Sequence, residues 1–105
     1  MSYAIRTLSL AEADAVAAAL WHEERQAGLG ADFLEMVNES AQKLADNPEL
    51  YRVRFADVRR VPLRRFQAYG VFYVIRGFEV WILAVHDGRR HPRWLRARVK
   101  EVGLE

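Results

Sequence analysis

Cysteine is absent from this chain of 105 residues, which excludes a disulfide framework and any thiolate metal site. That absence agrees with a reducing cytosol. A basic leader is also missing from the opening residues MSYAIRTLSL, and so is any apolar run approaching the ~20 residues that span a bilayer. The most apolar early stretch, Ala15 to Trp21, is far too short. A soluble, cytoplasmic protein is expected. Repeats, low-complexity tracts and linker-like segments are lacking as well, so residues 1–105 are read as a single domain. A chain of this size buries ~65% of its extended surface, enough for one core without staples.

Lysine is scarce too. Fourteen of the sixteen bases are arginine, whose planar fork suits phosphate and carboxylate better than a point charge does. The overall net charge of +2 conceals a division of the chain. Residues 1–50 hold three bases against nine acids, a net of −6, whereas residues 51–105 hold thirteen against five, a net of +8. Such asymmetry points to a basic working half that meets an anionic partner. Arginine usage from a GC-rich genome is the plain alternative.

The elements follow from period and punctuation. YAIRTL reads as a short strand, and Ser9 three residues before Glu12 resembles a capping box opening a helix. That helix runs to about Gln26, with Leu10, Ala13, Ala17, Leu20 and Trp21 as its apolar stripe and Gly28 or Gly30 as its stop. Phe33, Val37, Ala41 and Leu44 predict a second helix, ended by Asn47-Pro48, and the short link makes the two an antiparallel hairpin. From Val58 the period becomes strand-like through VRRVPL, YGVFYVIR and EVWILAVHD, with a Gly77 turn between the last two. Pro62 places its strand at an edge or a bulge. After Pro92, RWLRARVKEV suits a short helix. The fold class is α+β: β-α-α-β-β-β with a short C-terminal helix, the helix hairpin packed on one face of a small, mainly antiparallel sheet.

The last apolar strand ends abruptly in AVHDGRRHPRW, two histidines, three arginines and a tryptophan at one exit. Nine of the twelve aromatic residues also lie after residue 50. Phe72, Tyr73 and Trp81 are read as core or partner-facing, whereas Trp94 stands in the basic exit. The histidines show no helical i, i+4 metal spacing and no accompanying carboxylate cluster, so neither metal nor cofactor is expected.

WHEERQAGLGADFLEMVNESAQKLADNPELY, VRRVPLRRFQAYGVFYVI and VWILAVHDGRR, in that order and spacing, resemble the RelE/ParE toxins of type II toxin–antitoxin systems. The likeness runs from Ser9 to Arg93. It implies a bacterial growth-inhibiting toxin of the plasmid-stabilisation type, wrapped by a cognate antitoxin from the same operon, without membrane or metal. One branch of the family resembles ribosome-dependent endoribonucleases that cut mRNA; the other resembles poisons of DNA gyrase that trap a cleavage complex without chemistry of their own. The nuclease branch has an arginine where YGVFY has Gly70, a tail tyrosine where this chain has Trp94, and a lysine-rich strand where it has VRRVPLRRF. RFQAYG is also one residue longer than the corresponding turn of many relatives, which suggests a bulge at the strand entry.

These departures favour the gyrase-poisoning reading, with Arg65, Arg89, Arg90, Arg93, Trp94 and Arg96 as the target-binding residues. The ribonuclease alternative would rest on Arg65, His86 and Arg90. A non-toxic module that binds nucleic acid or protein is the third reading. Read as plain structure, the arginines blunt strand ends, His86 closes a strand with a backbone hydrogen bond, His91 is solvated loop, and His22 beside Trp21 on the first helix has nothing to mark it as functional.

Overall fold

The β-branched and aromatic run from Val58 onward folds as a sheet in this computed structural model, which describes residues 2–66, 68–89 and 91–103. The strands are β1 Ala4–Thr7, β2 Val53–Phe55, β3 Val58–Pro62, β4 Tyr69–Arg76 and β5 Glu79–Asp87. Across the sheet the order is β1-β5-β4-β3-β2, with β1 parallel to β5 and the other neighbours antiparallel. Helices α1 (Ser9–Arg25) and α2 (Leu29–Lys43) cover one face. Helix α3 (Arg96–Val102), entered through a 3-10 turn at Pro92–Leu95, covers part of the other. The fold is α+β, with one strand more than the sequence periodicity implies.

That extra strand is β2. It turns into β3 through Ala56 and Asp57, with Ala56 in the left-handed region at φ 51°. No glycine or asparagine marks the left-handed position, and Asp57 alone is a weak turn signal. β2 pairs only with Val58 and Arg59, so β3 is an edge from there on. Pro62 therefore sits where its missing N–H costs no ladder bond, as its position in the sequence requires. The turn containing Gln67, where a bulged strand entry is expected, includes that residue outside the described ones.

The helix hairpin shows two departures from the sequence pattern. Leu8, not Ser9, is the N-cap of α1, and no side chain caps it. The strand feeds straight into the helix: the Leu8 N–H donates to the Ile82 carbonyl at 3.0 Å, while the Leu8 carbonyl accepts from Ala11 and Glu12. The buried stripe is Ala11, Ala15, Ala18, Ala19 and His22, whereas the expected one, Leu10, Ala13, Ala17, Leu20 and Trp21, is exposed. Both stripes have helical spacing, and the small residues win because they let α1 approach its neighbours closely. At Gly30 of α2 an added Cβ would lie 2.6 Å from the Ala19 carbonyl oxygen. Glu23, in the last turn of α1, accepts the N–H groups of Gly28 and Gly30, at 3.0 Å and 2.9 Å, so one helix caps the next. Those hydrogen bonds hold its carboxyl below the usual pKa.

Two apolar layers result. Phe33, Leu44, Val61, Leu63, Val71, Tyr73, Val80, Ile82 and Val85 fill the space under the hairpin. Val58, Phe72, Val74, Leu83 and Ala84 lie under Leu95 and Val99 of the tail. Tyr73 is the largest fully buried side chain, and its hydroxyl donates to the buried Pro48 carbonyl at 2.5 Å.

Burial pushes the Tyr73 hydroxyl up to about 12 from its ordinary 10.0. The folded pKa lies above the unfolded one, so this contribution is complete below pH ~10 and disappears as pH rises towards ~12, a change of ~2–3 kcal/mol. Tyr73→Phe should remove that part of the alkaline decline. At pH 7 it should cost ~1–2 kcal/mol, because the Pro48 carbonyl loses its donor. Urea unfolding at pH 7 and pH 11 measures both, and equal alkaline losses in the two proteins would refute the assignment.

Candidate target-binding face

The tail-covered face is organised by an irregularity in β5. Tyr73 stands opposite Ile82 and Phe72 opposite Ala84, so Leu83 is an extra residue without a partner. A bulge takes main-chain polar groups off the ladder, and they must find other partners. The Leu83 carbonyl accepts from Arg98 Nη1 at 2.9 Å, and the Val85 N–H donates to Asp14 Oδ2 at 3.2 Å. Arg98 and Asp14 then pair with each other, Nη1 to Oδ2 at 2.5 Å and Nη2 to Oδ1 at 3.3 Å. Their side chains are only 17% and 16% exposed. One ion pair thus joins α1, the β5 bulge and α3.

Beyond the latch, the tail lays a row of rings on the open part of the sheet. Trp94 packs edge-on to Phe72 at 6.3 Å and against His86 at 5.0 Å, with the Arg98 guanidinium 5.1 Å from its own ring. His91 Nδ1 accepts the Arg93 N–H at 3.1 Å and caps the 3-10 turn. Its ring meets Phe55 edge-on at 5.5 Å, and Arg96 lies over the same Phe55 at 5.3 Å. His91 is therefore a capping residue as well as an exposed one.

The residues singled out from the sequence divide into two groups. Arg93, Trp94 and Arg96 come together with His86 and Phe55 on this face, Arg93 and Arg96 exposed and Trp94 half-buried between its neighbours. Arg89 stands at the end of β5, where its N–H and guanidinium both hold Asp87 at 3.2 Å. Burial alone would raise the Asp87 pKa, but these bonds, with His86 nearby, keep it below the usual value. Arg65 lies elsewhere. It pairs with Asp32 of α2 at 2.9 Å, and Arg64 beside it approaches Glu39 at 3.7 Å. Arg90 falls outside the described residues. The structure therefore does not bring Arg65 and His86 into one cluster. His86 itself lies on the tail side, its Nδ1 3.4 Å from the Asp87 carbonyl, close to its plain structural reading.

Other residues of the molecule carry no sequence signal. His22 is buried, its Nδ1 donating to the Ala18 carbonyl at 2.7 Å and its ring stacked on Phe33 at 4.9 Å with Phe66 and Tyr69 edge-on. Only its i, i+4 relation to the buried Ala18 could have announced this. Arg60 of β3 and its two glycine neighbours, Gly70 and Gly88, are likewise invisible, because their contact crosses strands. Among the described residues, no group of three or more His, Asp and Glu side chains could hold a metal ion. No described helix is long and apolar enough to cross a membrane.

The family model described as ParE toxin of type II toxin–antitoxin system, parDE, matches residues 5–92. Among solved structures, a chain of the chromosomal ParDE toxin–antitoxin system from P. aeruginosa superposes with a TM-score of 0.66 at 19% identity, covering 81% of this chain and 95% of that one. A mutant of the E. coli toxin RelE in the free state superposes with a TM-score of 0.60 at 16% identity, covering 97% and 99%. At these identities the two likenesses speak for the fold. No curated protein gives a significant match.

Removing one partner of a largely buried ion pair leaves the other charge uncompensated, which typically costs ~3 kcal/mol or more. Arg98→Ala should therefore destabilise the protein by about that much, and Asp14→Asn by less, since the amide still accepts the Val85 N–H. A double-mutant cycle should give a coupling of at least ~1 kcal/mol. Additive losses in chemical denaturation would mean the two side chains act independently.

Proposed function

This chain belongs to the ParE toxin family of type II toxin–antitoxin systems, and we propose that it arrests growth by poisoning DNA gyrase without chemistry of its own. The supporting observation is the make-up of the basic face. Cleaving RNA through its 2′-hydroxyl needs a base, an acid and cations placed around one phosphate. Here His86 has Trp94 against its ring, and an indole transfers no proton at neutral pH. Arg65, one of the two cations that the nuclease reading pairs with His86, is held by Asp32 on the helix side, and the other, Arg90, lies outside the described residues. What remains is a cationic, aromatic surface suited to binding.

The antitoxin of such a system has a matching apolar surface to cover. Val16 and Leu20 of α1 and Leu34 of α2 are exposed around a groove that also includes Ala19, Gly30 and Ala31. An amphipathic segment laid there would bury these side chains, and contiguous exposed apolar surface of this kind marks interaction sites. Leu20 is 60% exposed, so Leu20→Glu should leave unfolding unchanged while weakening the complex with the co-encoded protein at least tenfold. Isothermal titration with that protein is the measurement; unchanged affinity would move the antitoxin to another face.

For the target itself, a purified supercoiling reaction should accumulate cleaved DNA when the protein is added, and mRNA on translating ribosomes should stay intact. His86→Gln keeps size and hydrogen bonding but abolishes titration. A binding poison should lose less than ~1 kcal/mol of affinity from it. A nuclease using this imidazole as base would slow ~10²-fold or more. Site-specific mRNA cleavage that this one substitution abolishes would overturn the gyrase reading.

A further inference from the structure

Several arginines at the sheet have a carboxylate partner, and Arg59 donates to the Glu49 and Tyr51 carbonyls. Arg6 pairs with Glu79, Arg76 with Asp57, Arg89 with Asp87 and Arg98 with Asp14. Arg60 differs. It projects from β3 on the tail side, cross-strand from Phe72, and its guanidinium packs against two residues that have no side chain. An added Cβ at Gly70 would stand 2.5 Å from Arg60 Nε, and one at Gly88 would stand 3.0 Å from Nη2. The guanidinium therefore occupies a slot cut by two glycines.

Within that slot Arg60 is poorly served. Nη2 donates to the Ala68 carbonyl at 3.1 Å, and Nε is buried with no acceptor among the described residues. No described carboxylate lies within ion-pair distance. Asp87, which favours the charge from further away, is already committed to Arg89. Burial and the like charge of Arg54 both disfavour the guanidinium and lower its pKa. The Phe72 ring, 5.7 Å away, supplies a weak cation–π contact and no counter-charge. A half-buried cation without a counter-ion is costly, and the usual remedies are a paired carboxylate or a bound anion. Among the described residues no carboxylate is close enough to pair with it.

We infer that Arg60, seated between Gly70 and Gly88, is an anion-binding residue whose ligand is a phosphodiester group of a nucleic-acid strand. The anion's class follows from the surroundings. His86 is cross-strand from Gly70, Trp94 packs on His86, and Phe55 with His91 continues the row of rings. Rings alternating with arginines form a platform on which bases stack while cations follow the backbone. An acidic protein segment would have no use for that row. The inference does not depend on gyrase being the target, because it concerns the chemical group recognised and not the enzyme that presents it.

The test follows the Arg60 Nε–Hε resonance in labelled protein during titration with inorganic phosphate, with an oligothymidylate of about eight nucleotides, and with an oligoglutamate of matched charge. Phosphate should move that resonance, and the oligothymidylate should move it at a concentration at least tenfold lower. Gly70→Ala keeps the net charge but intrudes on the slot, so it should weaken oligonucleotide binding at least tenfold. Arg60→Gln should abolish the Arg60-dependent part while leaving the unfolding midpoint unchanged or raised. Thermal unfolding of both variants shows that the fold survives, and either variant suffices if the other does not fold. A resonance indifferent to all three ligands would overturn the proposal. So would a response to phosphate with no gain from the oligonucleotide, which marks an adventitious ion only. Equal or tighter binding of the oligoglutamate would overturn it in favour of an acidic protein partner.

Discussion

The ion pair between Asp14 and Arg98 holds the one irregularity on which the rest of the sheet face depends. Alternation along a regular β5 would send Ile82, Ala84 and His86 to the helix side and Leu83 and Val85 to the tail side. The extra residue at Leu83 reverses everything after it, as a one-residue slip always does. Val85 then joins the core under the hairpin, while Leu83 and Ala84 together form the floor beneath the tail. His86 reaches Trp94 for the same reason. The bulge would leave the Leu83 carbonyl and the Val85 N–H without ladder partners, and these are the two groups that Arg98 and Asp14 satisfy. Residues from α1 and the tail are thus required by the geometry of a strand lying between them in the sequence.

The division of charge along the chain has a related explanation. Much of the contrast between acidic and basic halves is consumed internally. Arg65 and Arg64 meet Asp32 and Glu39 of α2, and Arg98 meets Asp14 of α1. Each joins the basic half to the acidic half, so part of the asymmetry assembles the protein and does not advertise to a partner. Most of these pairs are exposed and contribute little individually. Of the described cations without a carboxylate at ion-pair distance, Arg54, Arg60, Arg93 and Arg96 gather around the tail, whereas Arg25 of α1, Lys43 of α2 and Arg59, bonded to the Glu49 and Tyr51 carbonyls, lie elsewhere. Net charge by half overstated the basic working region, and the pairing map narrows it.

The large elements were legible in the sequence because their signals are local. Strand period from Val58, the Gly77 turn and the stop at Asn47-Pro48 each depend on residues near in the chain, and each appears in the structure. Three features were not legible. The β2 turn uses Ala56 in a left-handed conformation that composition does not flag. The Ser9 cap was displaced because the Leu8 N–H was already engaged by β5, a tertiary bond that no capping pattern includes. The buried stripe of α1 is rotated from the expected one because two stripes share helical spacing, and the close crossing at Gly30 selects the one that carries Ala11, Ala15, Ala18 and Ala19.

The same distinction governs the candidate site. Arg93, Trp94 and Arg96 lie in one continuous stretch, so their grouping could be read directly. Arg65 is far from that stretch in the chain, and its side chain pairs with Asp32 of the hairpin, a contact no local pattern announces. Gly70 gives the sharper lesson. Compared position by position with a family pattern, it reads as a missing arginine and hence as lost capacity. In the sheet, its missing Cβ is the space that Arg60 from the adjacent strand fills, and Gly88 completes the seat from the far side of β4. A glycine among packed strands therefore has to be judged with its cross-strand neighbours, since an absent side chain on one strand can be the condition for a charged one on the next.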